Sequence, residues 1–340
     1  MKILVRVDAY PDIALGHLNR CLNLSFSLEE HGHDVTFYSY NDYATKAILS
    51  KTRFEYKLMP FKINDSQSKH EELLELKTLS DSIDLLLVDS YNVDNDYFNF
   101  LSQCFPAIAY LDDLGFDFDV DLVVNPSCKV TEVDYKAKNV LCGMQYVILG
   151  KEYKVGRTKP LNTKRHSILV TMGGIDHYDL SARVIPILEK IPLDIEVNIV
   201  IGPYYANMEL VKAAVKKSLL KINIFENVTN LVPIILRSDM ALTAGGFTTY
   251  ELAAMSTPSV GLALWENQYN NIECLSNQDA LIPLYYSQGE YFDKELAKAL
   301  SKLINDDSLA MSMSKKARNA VDGNGANRIA KEITDRYEKK

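Results

Sequence analysis

Several signatures are missing from this chain of 340 residues, and each absence excludes something. Its five cysteines, Cys21, Cys104, Cys128, Cys142 and Cys274, are odd in number and never spaced as CxxC. That argues against a disulfide framework and a structural zinc site, and fits a reducing cytosol. No apolar run approaches the ~20 residues of a membrane span. The amino terminus has one lysine and a short apolar run before Arg6 and Asp8, so no signal peptide and a cytoplasmic location are expected. There is no Lys/Arg block, hence no nucleic-acid footprint. The loop after the first strand reads DAYPDIALGH rather than GxGxxG, and neither GxxxxGK[ST] nor GxSxG occurs. The acidic pair Asp112–Asp113 hints at a metal, but no HExxH pattern completes a site, so neither metal nor cofactor is expected.

What remains is ordinary globular composition, 47% hydrophobic and 24% charged, with length enough for two cores. The formal charge of −8 is uneven: residues 1–150 carry 13 Lys and Arg against 23 Asp and Glu, the remainder 24 against 22. A mildly positive second half suits an anionic ligand such as a nucleotide.

Short apolar runs alternate with helical-period segments. In the first half ILVRV (3–7), DVTFYSY (34–40), DLLLVD (84–89), AIAYLDD (107–113) and DLVVN (121–125) read as strands, with helical patterns starting near His17, Asn41, Gln67 and Val93. The polar stretch 150–165 reads as a linker, after which the pattern restarts with strands at 167–174, 196–202, 222–226, 240–246 and 258–264. Helices are expected over Asp293–Asn305, Ser308–Val321 and Ala326–Tyr337. Strand–helix alternation implies crossovers and parallel sheets. The expected fold is therefore α/β, two doubly wound Rossmann-like domains facing a cleft. An N-terminal domain (1–150) would be joined by a linker (151–165) to a second domain (166–325), with a last helix (326–340) crossing back onto the first.

Polar residues gather where strands should end. In DIALGHLNRCLNLS an imidazole, His17, follows a glycine at a helix start. The positive end of the helix disfavours a cationic ring, and a neutral imidazole is what a general base needs; a lone histidine is more often structural. Arg20 lies one turn along, to bind an anion or pair with an acid. Asp89 and Tyr91 in VDSYNVD, and Asp112 and Asp113 in LDDLG, end two further strands on the same edge.

In the second half, TAGGFTTYELAAM puts Gly245 and Gly246 at a strand end, with Thr248, Thr249 and Glu251 opening a helix. A helix start favours phosphate, and Glu251 is placed to accept from ribose hydroxyls. The bland alternative is a turn whose glutamate caps the helix. Gly173 and Gly174 in TMGGID hold the equivalent position after an earlier strand. WENQYNN brings Asn267 and Gln268, with other amides, to the end of another.

Taken in order, RVDAYPDIALGHLNRCLNLS, DSYNVD, DDLG, GMQYVILGKEY, TMGGID, TAGGFTTYELAAM and ENQ resemble the UDP-2,4-diacetamido-2,4,6-trideoxy-β-L-altropyranose hydrolases of pseudaminic acid biosynthesis (PseG-like). The resemblance covers about residues 1–285 and implies the GT-B architecture. It also implies metal-independent attack of water on the anomeric carbon of a UDP-sugar, with inversion and release of UDP. His17 matches the histidine that positions or deprotonates the water, and Tyr91 the tyrosine that orients it. Gly245, Gly246, Thr248 and Glu251 match the UDP-binding helix, with Gly173, Gly174 and Thr249 beside it. Asp12, Gly16, Arg20, Asp89, Asp112, Asn267 and Gln268 are the expected sugar-side contacts. Two departures stand out: Ala14 occupies a position where the family has glycine, and the tail after ENQ is longer. The spore-coat polysaccharide proteins of SpsG type share most of these motifs.

The partner expected is thus a UDP-sugar, with no nucleic acid and no membrane insertion, and a monomer is expected. Two rivals use the same features. A GT-B glycosyltransferase would pass the sugar to an acceptor in surface polysaccharide synthesis, and a binding protein would hold the nucleotide sugar without turnover.

Overall fold

A computed structural model describes residues 1–9, 16–59, 66–156, 166–192, 194–287 and 289–338. They form two compact units, Met1–Gly150 with Asn324–Lys340, and Lys151–Gly323.

In the first unit the strands are β1 (Lys2–Val7), β2 (Asp34–Tyr40), β3 (Glu55–Met59), β4 (Leu85–Asp89), β5 (Ile108–Leu111), β6 (Leu122–Asn125) and β7 (Asn139–Cys142). The helices between them are α1 (Gly16–Glu30), α2 (Tyr43–Leu49), α3 (Ser66–Leu79) and α4 (Asn95–Leu101). All neighbouring strands pair parallel, in the order β3-β2-β1-β4-β5-β6-β7. The central strands are buried on both faces, which is why LLLVD is continuously apolar. Side-chain alternation splits the core in two. Ile3, Val5 and Val7 pack with Leu18, Cys21 and Leu24 of α1, whereas Leu4, Leu86 and Val88 pack with Tyr97 and Phe98 of α4.

The second unit begins with α5 (Lys151–Gly156) and continues through β8 (Ser167–Thr171), α6 (Leu180–Leu188), β9 (Glu196–Ile201), α7 (Met208–Lys217), β10 (Lys221–Glu226), α8 (Val232–Arg237), β11 (Met240–Ala244), α9 (Thr248–Ala254), β12 (Ser259–Ala263), α10 (Tyr269–Ser276), β13 (Ile282–Tyr285), α11 (Glu290–Asn305) and α12 (Asp307–Ala320). Its parallel strands run β10-β9-β8-β11-β12-β13. The start of the stretch read as linker is thus helical, and residues 157–165 lie outside the described residues. The last helix, α13 (Gly325–Tyr337), belongs to the first unit, where Ile329, Ala330 and Ile333 join the core formed by α1.

Both sheets reverse their winding once, between β1 and β4 and between β8 and β11. At such a point consecutive loops leave the strand ends in opposite directions and open a crevice for a ligand. The loops after β1 and β4 carry His17 and Tyr91; those after β8 and β11 carry the two glycine pairs.

Candidate active site

His17 is the second residue of α1, which delivers it to the end of β4. There its Nδ1 lies 2.5 Å from Asp89 Oδ1. Asp89 is fully buried, as the last residue of a central strand must be. Burial pushes a carboxyl toward its neutral form, but Arg20 and His17 outweigh it and hold Asp89 well below the usual carboxylate range. Arg20 grips both oxygens, Nε to Oδ2 at 2.6 Å and Nη2 to Oδ1 at 2.6 Å. An ionised Asp89 only accepts, so the ring donates from Nδ1, which leaves Nε2 as the nitrogen able to take a proton. Arg20 Nη2, 3.1 Å from the same ring nitrogen, directs its hydrogen to Asp89.

Tyr91 packs edge-on against the His17 ring with centroids 4.6 Å apart. Its hydroxyl donates to Asp113 Oδ2 at 2.9 Å, and Arg20 Nη1 meets the same oxygen at 2.8 Å. His17, Arg20, Asp89, Tyr91 and Asp113 therefore form one connected cluster. Partial burial and the Asp113 carboxylate push the Tyr91 phenol up, so it stays a donor at neutral pH. Cys21, one turn beyond His17, donates from Sγ to Asp89 Oδ2 at 3.3 Å, and burial keeps it a thiol.

The structure changes one expectation on this rim. Asp112, expected to face the sugar, turns into its own loop. It accepts from the Leu114, Gly115 and Phe116 amides, from Asn125 Nδ2 at 3.0 Å and from the Tyr135 hydroxyl at 2.6 Å. β5 stops at Leu111, and the turn that follows needs an acceptor for its amides, so Asp112 folds inward and Asp113 faces Arg20. A side chain built on Gly16 would meet no described atom within 4 Å. Asp12 and Ala14 lie outside the described residues.

Sequence reasoning missed the layer behind this cluster. Arg6, inside β1, is buried and clasps Glu72 of α3 through Nε at 2.7 Å and Nη2 at 3.2 Å; it also bonds Asp8 and the Tyr40 hydroxyl. Tyr97 donates to Glu72 at 2.7 Å. Asp8 in turn accepts from Ser90 Oγ at 2.6 Å and Asn92 Nδ2 at 3.3 Å, the residues on either side of Tyr91. A charged residue in an apolar strand was the one available signal, since a buried arginine must find carboxylates.

In the second unit β11 ends at Ala244 and the glycine pair turns the chain into α9. The two glycines do different things. A side chain on Gly245 would sit 2.8 Å from Ile272 Cγ1 and 3.0 Å from Gln268 Cβ, so Gly245 lets α10 close on the sheet rather than a ligand approach. A side chain on Gly246 would meet nothing within 4 Å among the described residues, so it is the open one. Thr249, expected to face phosphate, is buried and spends its hydroxyl on the Gly246 carbonyl at 2.7 Å. Glu251 accepts from Tyr153 of α5 at 2.6 Å and from Thr248, and burial raises its carboxyl above the usual range. Gly173, at φ 74°, and Gly174 form the turn after β8. Their carbonyls lie so close to Gly202 that a side chain there would meet them at 2.1 and 2.4 Å. Gln268 accepts the Leu264 amide at 3.0 Å, and Asn267 lies in the same short turn, Glu266–Gln268.

Two switch-point sites, one with a histidine–aspartate pair and one with open glycine turns, fit an enzyme built on two parallel-sheet units. Residues 167–333 match the family model of the glycosyltransferase family 28 C-terminal domain. The spore coat polysaccharide biosynthesis protein SpsG of Bacillus subtilis is 24% identical, with 99% of each chain covered. The uncharacterized protein MJ1062 of Methanocaldococcus jannaschii is 23% identical over 89% of this chain, which spans 65% of that protein's length. Among solved structures, MurG of Acinetobacter baumannii superimposes with a TM-score of 0.75 at 13% identity, over 98% of this chain and 99% of that one. The chain has the GT-B fold of these structures, and the family match covers most of its second unit and runs on into α13. Among the described residues no helix is long and apolar enough to cross a membrane.

Proposed function

We propose that the protein is a UDP-sugar hydrolase, acting on a deoxy-diacetamido or similar amino sugar in nonulosonic (pseudaminic) acid synthesis. The observation that carries this reading is the 2.5 Å pair between His17 Nδ1 and Asp89. A base whose orientation and tautomer are set by a buried ionised carboxylate is poised to take a proton through Nε2. The second unit holds the UDP, with Glu251 and Thr248 toward the ribose and the Gly246 and Gly173–Gly174 turns toward the diphosphate. Asn267 and Gln268 serve the sugar side.

In this reading the water oxygen bonds to the anomeric carbon as its proton passes to His17 Nε2. The bond from that carbon to the diphosphate oxygen breaks, and UDP leaves with the electron pair. Attack opposite the leaving group inverts the centre. Amides at the turns stabilise the charge gathering on the diphosphate, so no metal is required. Tyr91 and Arg20 shape the pocket of the water, with Gly16 leaving room for the sugar.

The match to a glycosyltransferase domain supports a second reading, in which an acceptor hydroxyl replaces water at the same base. The two separate on UDP release from a panel of UDP-amino sugars with no acceptor, for wild type and His17→Ala. Fast release that vanishes in the variant is expected. Binding of UDP without release would give the transferase reading instead.

A further inference from the structure

The sequence contains one tryptophan, and the fold leaves it 47% exposed. Trp265 follows β12 and opens the Glu266–Gln268 turn. Its indole ends a chain of rings. His177 meets it edge-on at 5.4 Å, and Tyr178 stacks on it at 5.5 Å with 27° between planes. Tyr178 stacks in turn on Tyr286 at 3.9 Å, and Tyr286 contacts Phe292, which is buried in the core. The stack is rooted in the protein and surfaces at Trp265.

Its place in the sheet matters. His177 and Tyr178 come from the loop after β8, and Trp265 from the end of β12, with β11 between those strands. The rings therefore meet beside the end of β11, where Gly246 opens. Trp265 is tied to that turn: its carbonyl accepts the Gln268 amide at 2.9 Å, and Gln268 packs into the space that Gly245 leaves. Tyr178 and Tyr286 pack on the core shared by α6 and α11. Glu251 lies across the turn from them, on α9, whose buried residues stay out of that core, and its partner Tyr153 is on α5. So the open Gly246 turn has a carboxylate on one side and an aromatic stack on the other.

A nucleotide sugar is linear, with its diphosphate between ribose and sugar ring. With the ribose at Glu251 and the diphosphate at Gly246, which rests on the proposed function above, the sugar ring reaches the aromatic side. A pyranose offers an apolar face of C–H bonds ringed by hydroxyls. The indole suits the first, as an apolar body at a wet boundary, and the exposed carboxylate of Glu266 suits the second. We infer that Trp265, backed by His177 and Tyr178, is the platform for the pyranose ring of the nucleotide sugar, and that it reads the sugar rather than the nucleotide.

The lone tryptophan makes this directly measurable. The full chain is titrated with UDP and with UDP-N-acetylglucosamine, following tryptophan emission and, in parallel, heat of binding. The expected result is a clear change in emission with UDP-N-acetylglucosamine and little with UDP, although both bind. Trp265→Ala is expected to weaken UDP-N-acetylglucosamine ~10-fold, the scale of one aromatic contact with its buried area, and to leave UDP within ~2-fold. An equal emission change with UDP alone would assign the platform to the base and overturn the inference. No change with either ligand, when calorimetry shows both bound, would overturn it as well, without recourse to the variant. Absence of UDP binding in calorimetry would instead remove the Glu251 reading on which the inference stands.

Discussion

A buried carboxylate stays ionised only when cations and hydrogen-bond donors surround it, and Asp89 has the Arg20 guanidinium on both oxygens and the His17 ring N–H on one. This makes Asp89 a positioning residue with a specific test. In Asp89→Asn the amide offers its NH₂ to Nδ1, the ring proton moves to Nε2, and the base is lost. Turnover is expected to fall ~10²–10⁴-fold, the range of general-base catalysis, with UDP affinity unchanged; equal loss of both in steady-state kinetics and calorimetry would point to a structural effect. Glu251→Ala is expected to weaken UDP by about 1–3 kcal/mol, the cost of charge-assisted hydrogen bonds, measured by calorimetry. Because burial raises the Glu251 carboxyl, wild-type UDP affinity should start to decline on acidification at a higher pH than an ordinary glutamate would give. Arg6 is the residue whose loss should hurt stability most. Arg6→Met strands Asp8 and Glu72 without their cation, and about 3–5 kcal/mol is expected from breaking such a buried network, read from urea unfolding.

Among elements, α1 works at both ends. Its start presents His17, and beyond its last turn His31 and His33 meet α13. His33 is buried; its Nε2 lies 2.7 Å from Thr334 Oγ1 and its Nδ1 3.3 Å from the amino terminus. Burial, then the amino-terminal charge and His31, lower its pKa, against a smaller opposing pull from Glu338. A base with a lowered folded pKa binds fewer protons folded than unfolded, so its contribution is present above the ordinary histidine pKa of about 6.5 and is lost as pH falls below it. The difference in Tm between pH 7.5 and pH 5.5 is expected to shrink in His33→Gln; an unchanged difference would show that other groups carry the pH response.

The strands that sequence reading overlooked share a position. β3, β7 and β13 are edge strands, only partly buried, so they lack the continuous apolar runs of central strands. Helices with a strong apolar stripe, such as α11, stood out within a few residues of their true limits.

For the whole molecule, the chain enters the second unit at α5 and returns to the first with α13. Removing residues 324–340 takes Ile329, Ala330 and Ile333 out of the first unit's core. The first unit is expected to unfold at lower temperature in calorimetry, while UDP affinity, which the proposed function assigns to the second unit, persists. Loss of UDP binding in that truncation would mean that the nucleotide site depends on the first unit.

Local sequence was enough for the alternation of strands and helices, the repeated architecture and the loops worth watching, because periodicity and glycine placement act within a dozen residues. It put Asp112 rather than Asp113 on the sugar side, and could not tell that Gly245 makes room for Ile272 while Gly246 stays open. Those outcomes depend on contacts across long stretches of chain. His17 and Asp89 are 72 positions apart, and Arg6 and Glu72 are 66 apart. Only strand order, by laying β4 beside β1 and β11 beside β8, decided which side chains would meet.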